Sequence, residues 1–454
     1  MLYSFIHLMI RFINFIFFSR IEFTLPPNLK GPLIFTANHP NMFLDVAVIG
    51  PYLPGKVHFI AKSALFKNPL LGRFLTNLGA VPVYRKEHGE QGDNQSTFQK
   101  VIEALERHET VVIFPEGTSH AEENLLPLKT GAARIAFEAE AKNGFQLQVQ
   151  IVPLGLHFAQ RDRFRTKVLI RVGEPISLKE FKTSYEEDQK KAINNLTLML
   201  YERMRKITLN LLDEHEGEML RNLFHAYTKI VAEDRPENFS ETVEARSALL
   251  EAYRWHRIHK PRQMQQLYRK ISSFLNSTER FGVSRSSRHL AKSYEFVKVF
   301  RYTYLRVPLL ALGAPLYLCG MVTHYLPYRI PGILAHRIED ITEKGTTKLL
   351  WGAFLFPLFY FFYFISIWYL YSLKGALIFL GILPLLGIYT LLYLDVLLPF
   401  LTNMFTFFKL SWKRTERDQL LQMSDSIRKD WQRLQEEYKR DRELEDKQLQ
   451  NPPA

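Results

Sequence analysis

The chain has 454 residues, which is long enough for one large or two ordinary domains together with membrane segments. Its formal net charge of +13 favours polyanionic partners, either nucleic acid or anionic lipid head groups. Long apolar runs near the C-terminus favour the second, so we expect membrane lipids and no nucleic acid as partners. The single cysteine, Cys319, excludes a disulfide framework and a cysteine-rich zinc site.

Residues 1–20 are apolar and aromatic, but His7, Arg11 and Asn14 interrupt them. A secretory signal has an unbroken apolar centre and a small-residue cleavage site, and we find neither pattern in these residues. The composition instead predicts an interfacial helix that holds the following domain against a bilayer. An ordinary buried N-terminal helix is the alternative.

Residues 21–182 alternate short apolar runs with helical patterns, which is typical of an α/β domain with a mixed sheet flanked by helices. Residues 98–108 have apolar side chains at helical spacing, and residues 130–141 are rich in alanine, the best helix former. The apolar runs that predict strands are residues 33–35, 57–60, 81–83, 111–114, 149–154 and 168–172.

The segment from Asn38 to Asp45 reads Asn-His-Pro-Asn-Met-Phe-Leu-Asp and follows the first predicted strand. Histidine has the unperturbed pKa nearest neutrality, and an aspartate can fix its tautomer and ring orientation. His39 and Asp45 are therefore a candidate pair of general base and orienting carboxylate. A solvated loop pair is the alternative for this segment taken alone.

Two later segments carry groups suited to a phosphate ligand. Residues 79–86 end a predicted strand with adjacent cations, and Arg85 offers a bidentate grip on phosphate. Residues 111–120 lead a strand into a turn that contains Glu116, Gly117 and Thr118. Glycine allows close backbone approach to a ligand, and hydroxyls bond phosphate or glycerol oxygens. A basic strand end and a solvated turn are the alternatives.

The fourth segment, residues 151–155, is an apolar strand with Pro153 inside it. Proline cannot donate to a hydrogen-bond ladder. The sequence therefore predicts that this strand lies at an edge of the sheet or carries a bulge.

In this order, the four segments resemble the four sequence blocks of the phospholipid and glycerol acyltransferase family, which includes lysophosphatidate and glycerol-3-phosphate acyltransferases. The most specific part is Phe-Pro-Glu-Gly-Thr-Ser at residues 114–119. The family usually places four residues between the histidine and the aspartate, whereas five separate His39 from Asp45. One extra helical residue would rotate Asp45 by about 100°. We expect a loop at Pro40 and Asn41 to accommodate the additional residue, with Asn41 capping a helix that begins near Met42.

The resemblance implies an acyltransferase domain at residues 21–182 and a reaction without metal or cofactor. His39 takes a proton from an acceptor hydroxyl, Asp45 orients the ring, and the donor is acyl-CoA or acyl carrier protein. The acceptor is lysophosphatidate or glycerol 3-phosphate, held by five further residues: Arg85, Glu116, Gly117, Thr118 and Pro153. A non-catalytic lipid-binding scaffold and an acyl hydrolase are the alternatives.

Residues 183–305 are helical and charged, which predicts an all-α cytoplasmic region, and residues 306–404 form a membrane region. Within it, residues 349–371 and 375–401 exceed the roughly 20 residues that a span needs and predict a transmembrane hairpin. Residues 307–326 contain two prolines and a histidine, so we expect a re-entrant or interfacial segment, with a third span as the alternative.

Basic residues flank the membrane region at 288–306, 329–348 and 409–417. The positive-inside rule places all three flanks in the cytoplasm, which an even number of crossings satisfies. We expect a bacterial inner membrane, with the catalytic domain on its cytoplasmic face. Residues 405–454 form a charged helical tail that is either a short coiled coil for self-association or a helix on the protein's own surface.

Overall fold

The computed structural model describes residues 2–27, 29–84, 94–231, 238–281 and 296–450. The chain divides into two compact units. The first unit comprises Met1–Leu211 and Tyr328–Leu355, and the second comprises Leu212–Pro327 and Phe356–Ala454.

An eight-stranded mixed sheet forms the centre of the first unit, in the order β1-β7-β6-β2-β5-β3-β4, with β8 paired to β6. The pairs are parallel except those of β6 with β7 and with β8. The predicted fold, a mixed sheet flanked by helices, is confirmed. The strands are β1 Phe18–Phe23, β2 Leu33–Ala37, β3 Val57–Lys62, β4 Ala80–Val83, β5 Thr110–Ile113, β6 Gln150–Phe158, β7 Thr166–Val172 and β8 Ile176–Ser177.

In the described part of this unit, helices precede, connect and follow the strands of the sheet. They are α1 Leu2–Phe17, α2 Phe43–Ile49, α3 Pro69–Asn77, α4 Asn94–Glu106, α5 Gly131–Lys142, α6 Lys182–Glu187 and α7 Gln189–Ile207. Short 3-10 turns at Gly50–Tyr52, Ser63–Phe66 and Leu178–Phe181 complete the connections.

The middle of the sheet is buried on both faces, which explains why β2 is apolar without alternation. Ile34 packs into one core with side chains from α4, α5 and α7. Its neighbour Phe35 points to the other face and packs into a second core with side chains from α2. Both residues have no exposed surface, so β2 is a rigid support for the loop that follows it.

Pro153 lies in an interior strand, so the prediction of an edge strand was wrong. β6 pairs with β2 on one side from Gln150 to Leu154. On its other side β8 pairs with its first two residues, and β7 pairs with it from Leu154 onward. Pro153 falls between these two partners, and its carbonyl accepts a hydrogen bond from Gly173 N at 2.8 Å. The missing N–H of proline therefore coincides with the change of partner.

Helices make up the second unit, as predicted for the region after the sheet domain. A π-helical turn at Tyr227–Val231 follows the first helix of this unit, Glu214–Ala226. The helices that contribute residues to this unit are α8 Glu214–Ala226, α9 Phe239–His259, α10 Pro261–Arg280, α11 Phe296–His336, α12 Ile341–Leu370, α13 Leu373–Trp412 and α14 Arg414–Gln450.

Most of the predicted tail, residues 414–450, forms α14, which packs on α10 within the second unit, whereas residues 405–412 continue α13. Lys270 Nζ lies 2.5 Å from Asp430 Oδ2, and Lys260 Nζ lies 2.6 Å from Glu437 Oε2. Leu420 and Ile427 of the predicted apolar stripe are buried. α14 therefore packs on the protein's own surface, as the second of the two predicted forms requires, and self-association stays a prediction.

Three helices in the described part of the chain are long and apolar enough to cross a membrane: Arg306–His336, Ile341–Leu370 and Leu373–Lys409. Two of them contain the predicted hairpin. Residues 307–326 lie inside one continuous helix, α11, and show no reversal of the chain. The number of true spans stays a prediction.

Candidate functional site

The candidate site lies at the carboxyl ends of three parallel strands, β2, β5 and β6, where open α/β sheets commonly bind ligands. Asn38 follows β2 and ties its end to β6. Its Nδ2 donates to Leu156 O at 3.2 Å, and its Oδ1 accepts from Leu156 N at 2.7 Å. This pair of bonds fixes the backbone just before His39.

His39 and Asp45 are in contact despite the additional residue between them. His39 Nδ1 lies 2.8 Å from Asp45 Oδ2, and the same oxygen accepts from Asn41 N at 2.8 Å. α2 begins at Phe43, so Asp45 stands in its first turn and the extra residue is absorbed before the helix. Met42 has a φ of 50°, a left-handed conformation that is uncommon without glycine. Asn41 contributes its backbone and not a side-chain cap.

The carboxylate of Asp45 is fully buried, and burial raises its pKa above the ordinary value. The hydrogen bond from His39, the Asn41 N–H and the charge of Arg161 act in the opposite direction. An ionised Asp45 therefore depends on these few partners. Among these partners the His39 side chain has the largest effect, so the charge of Asp45 acts mainly on the His39 ring, as expected of an orienting carboxylate.

His39 is partly exposed to solvent, whereas Asp45 is not. Its side chain is 18% exposed, whereas that of Asp45 is 0% exposed. Phe114 stacks on the imidazole with ring centroids 3.9 Å apart and planes 15° from parallel. His39 Nδ1 is bonded to Asp45, and no described residue forms a hydrogen bond with His39 Nε2. Nε2 is thus free to bond a further partner.

Glu116 is buried and holds the protein around His39. Its Oε1 accepts from His39 N at 3.1 Å, and its Oε2 accepts from Leu126 N at 2.9 Å. Oε2 also contacts Nε2 of His120, whose main-chain nitrogen donates to His39 O at 3.3 Å. Since only 3% of Glu116 is exposed, its contribution to the site passes through these protein groups.

The remaining predicted site residues are less closely grouped. Gly117 has a φ of 73°, and Thr118 is exposed with its hydroxyl directed at Ser119 O, 3.3 Å away. Pro153 is buried within the sheet. Arg85, the predicted phosphate ligand, lies outside the described residues.

Arg161 belongs to the site, but no sequence motif indicated it. It follows β6, and its guanidinium donates to Ala121 O at 2.5 Å and to Glu122 O at 3.2 Å. Burial lowers the pKa of Arg161, and the charges of Glu123, Asp45 and Glu116 act in the opposite direction. Arg161 lies in the connection between β6 and β7, and folding alone brings this connection to the edge of the sheet. The sequence around Arg161 therefore does not indicate that it belongs to the site.

Metal ligands are not grouped at this site or elsewhere in the described part of the chain. His, Cys, Asp and Glu side chains there form no cluster of three suited to an ion. The arrangement contains two partly exposed imidazoles, those of His39 and His120, the buried carboxylates of Asp45 and Glu116, and a turn with a left-handed glycine. These groups suit proton transfer at a bound hydroxyl.

Comparisons with known proteins agree on one class of enzyme. Residues 19–157 match the family model described as Acyltransferase. Over 125 residues the chain is 34% identical to glycerol-3-phosphate O-acyltransferase 2 of Saccharomyces cerevisiae, covering 27% of this chain and 17% of that protein. Over 143 residues it is 32% identical to the 1-acyl-sn-glycerol-3-phosphate acyltransferase of Bacillus subtilis, covering 31% of this chain and 64% of that protein.

A longer match extends beyond the sheet domain. Over 307 residues the chain is 25% identical to an uncharacterised acyltransferase of Schizosaccharomyces pombe, covering 62% of this chain and 43% of that protein. In each of these three cases the aligned part is less than two thirds of the relative's length.

Proposed function

Because this chain belongs to the phospholipid and glycerol acyltransferase family, we propose that it is a membrane acyltransferase. It transfers a fatty acyl group from a thioester donor to a hydroxyl of a glycerol-phosphate acceptor. The observation that carries this proposal is the 2.8 Å contact between His39 Nδ1 and the buried Asp45. That contact leaves the other ring nitrogen directed away from the carboxylate.

In the proposed reaction His39 acts as the general base. Asp45 accepts a hydrogen bond from Nδ1–H, which leaves Nε2 unprotonated and able to take the proton of the acceptor hydroxyl. The hydroxyl oxygen attacks the thioester carbonyl, the new ester bond forms, and the thiolate leaves. The imidazolium then returns its proton to the thiolate. A base of this kind contributes about 10²–10⁴-fold to the rate.

We assign the acceptor site to the surface around His39. Arg85 would hold the acceptor phosphate, and the turn at Gly117 and Thr118 would shape the glycerol pocket. Glu116 supports this surface from within, because its carboxylate is bonded to His39 N and Leu126 N. Lysophosphatidate and glycerol 3-phosphate are both candidate acceptors, and acyl-CoA and acyl carrier protein are both candidate donors.

For the membrane region we propose two spans, α12 and α13, with α11 interfacial. α10 precedes the three apolar helices and α14 follows them, yet these two helices pack on each other. Packed helices lie on one side of a bilayer, so the crossings between them are even in number. The basic flanks favour the cytoplasmic side. A bacterial inner membrane stays a prediction, since relatives come from bacteria and yeasts.

The test uses the full chain in detergent with labelled acyl-CoA or acyl carrier protein. Glycerol 3-phosphate, lysophosphatidate and buffer alone serve as parallel acceptors. Wild type is compared with His39→Ala and with His215→Ala, an exposed histidine on α8 that serves as the matched control. We expect ester product from wild type and the control with one acceptor, and none above background from His39→Ala.

Three results would contradict the proposal. Equal product from His39→Ala would remove His39 from the chemistry. Absence of product with every donor and acceptor, while lipid still binds, would favour the non-catalytic scaffold. Acyl release in buffer alone, at the rate seen with acceptor, would instead indicate a hydrolase.

A further inference from the structure

A segment far along the chain contacts the turn that carries Asp45. Thr346, near the start of α12, belongs to the same compact unit as the sheet domain. Its Oγ1 donates to Asn41 O at 3.0 Å, 305 positions earlier in the chain, and accepts from Leu44 N at 3.3 Å. One hydroxyl therefore joins the beginning and the end of the turn between His39 and Asp45.

This turn determines where the Asp45 carboxylate points. Leu44 N also donates to Asn41 O at 3.0 Å, and Asn41 N donates to Asp45 Oδ2 at 2.8 Å. Met42, between them, has a φ of 50°, which the surrounding contacts must maintain. The Thr346 hydroxyl supplies such a contact from outside the turn.

Residues 345–349 are closely packed around this hydroxyl. A Cβ added at Gly345 would lie 2.8 Å from Arg161 O and 3.2 Å from Leu44 Cδ2. Lys348 Nζ donates to the main-chain oxygen of Asp162. Leu349 is 5% exposed and belongs to the same core as Leu44. These contacts leave Thr346 little freedom to move away from the turn.

We infer that Thr346 is a positioning residue of the acyl-transfer site, acting on His39 through the turn and Asp45. This inference rests on the proposed function for its kinetic consequence, but not for its geometry. No hydrogen bond joins Thr346 to His39 itself, so its role is not catalytic. The start of a candidate membrane helix thereby holds the catalytic pair in place.

The kinetic test compares Thr346→Val, which keeps the shape and removes both hydrogen bonds, with Thr346→Ser, which keeps a hydroxyl. Thr342→Val is the matched control, since Thr342 lies on the same helix, is 1% exposed, and its Oγ1 has no partner among the described residues. We expect Thr346→Val to lower kcat by about 10- to 100-fold with KM values unchanged. Thr346→Ser and Thr342→Val should stay near wild type.

A double-mutant cycle with Asp45→Asn tests whether Thr346 acts through that carboxylate. Once Asp45→Asn has removed the carboxylate, Thr346→Val should cause little further loss, because coupled residues are not additive. Equal fold-losses in both backgrounds, an unchanged kcat, or a Thr342→Val loss equal to that of Thr346→Val would overturn the inference.

Hydrogen–deuterium exchange separates this inference from the proposed function, because it needs no substrate. Peptides covering residues 39–49 should exchange faster in Thr346→Val than in Thr342→Val. Faster exchange in Thr346→Val, together with a wild-type protein that transfers no acyl group, would reject the proposed function and retain the positioning role. Unchanged exchange would reject the positioning even if wild type transfers acyl groups.

Discussion

Glu116 Oε1 accepts a hydrogen bond from the main-chain nitrogen of His39 at 3.1 Å, so a buried carboxylate holds the backbone of the proposed base. Glu116 follows β5 and His39 follows β2, and these strands are parallel neighbours. The bond therefore joins the ends of two adjacent strands. Through Leu126 N and His120, the same carboxylate orders the loop beyond it.

Replacement of Glu116 should lower the transfer rate through loss of positioning. In Glu116→Gln one of the two acceptor oxygens becomes an NH₂ group, which cannot accept from His39 N or Leu126 N. We expect kcat to fall about 10- to 100-fold, with about 1–3 kcal/mol of lost stability from the unsatisfied group. Steady-state kinetics measure the first effect and thermal unfolding in detergent the second.

Glu122→Gln is the control, because Glu122 is exposed and its contact with Arg161 uses the main chain. It should behave as wild type. A Glu116→Gln enzyme with unchanged kcat and raised KM for the acceptor would show that Glu116 binds substrate directly.

Gly117→Ala should destabilise the turn for two separable reasons. Gly117 has a φ of 73°, and an added Cβ would lie 2.8 Å from Lys129 Cε. Gly144 has a φ of 62°, and a Cβ added there would have nothing within 4 Å. Gly144→Ala therefore measures the free-energy cost of the backbone conformation alone. We expect about 1–2 kcal/mol for Gly144→Ala and more for Gly117→Ala. Melting temperatures measure both, and equal shifts would show that Lys129 yields without cost.

Burial of Asp45 predicts a particular pH dependence of stability. Its pKa is raised in the fold, mainly by desolvation, so the folded state holds this proton more tightly than the unfolded state. The contribution to stability is present below the ordinary value of 3.8 and is lost as pH rises through the raised value. Asp45→Asn has no such ionisation.

The difference in melting temperature, wild type minus Asp45→Asn, should therefore fall as pH increases from 3.8. Thermal unfolding of both proteins, at a series of pH values from 3.8 upward, measures this difference. A difference that grows with pH would mean that the partners of Asp45 outweigh its burial and depress its pKa.

The apolar face of α1 is turned outward, which supports the proposed interfacial helix. Phe5, Leu8 and Phe12 are 49–67% exposed, whereas Arg11 and Asn14 donate to main-chain oxygens of the sheet domain. In proteoliposomes, a polarity-sensitive fluorophore at Phe12→Cys, with Cys319→Ser, should report an apolar environment. The same probe at Lys190→Cys, an exposed position on α7, should report water. Equal spectra would contradict the prediction.

Local patterns were sufficient to predict much of the fold. The six predicted strands correspond to β2 through β7, because apolar runs mark strands that are buried on at least one face. β1 was missed because its sequence Phe-Ser-Arg-Ile-Glu-Phe carries polar side chains and it lies at the edge of the sheet. Pro153 misled the prediction because the structure changes strand partners at that residue.

The sequence predicted those site residues that a short segment brings together, and it missed those that depend on tertiary contacts. His39 and Asp45 are joined by a local turn. His120 was visible within the third segment, but its bond to Glu116 was not. Arg161 reaches the site from another loop, and Thr346 from a helix 305 positions beyond Asn41. No local pattern encodes contacts at that separation.

The most direct test of the proposed mechanism asks whether His39 and Asp45 act as one unit. Single-turnover acyl transfer is measured for wild type, His39→Ala, Asp45→Asn and the double variant. We expect His39→Ala to lose about 10²–10⁴-fold in transfer rate and the added Asp45→Asn to cause little further loss, since an orienting carboxylate has no role without its base. Losses that multiply in the double variant, or a wild-type rate in His39→Ala, would contradict it.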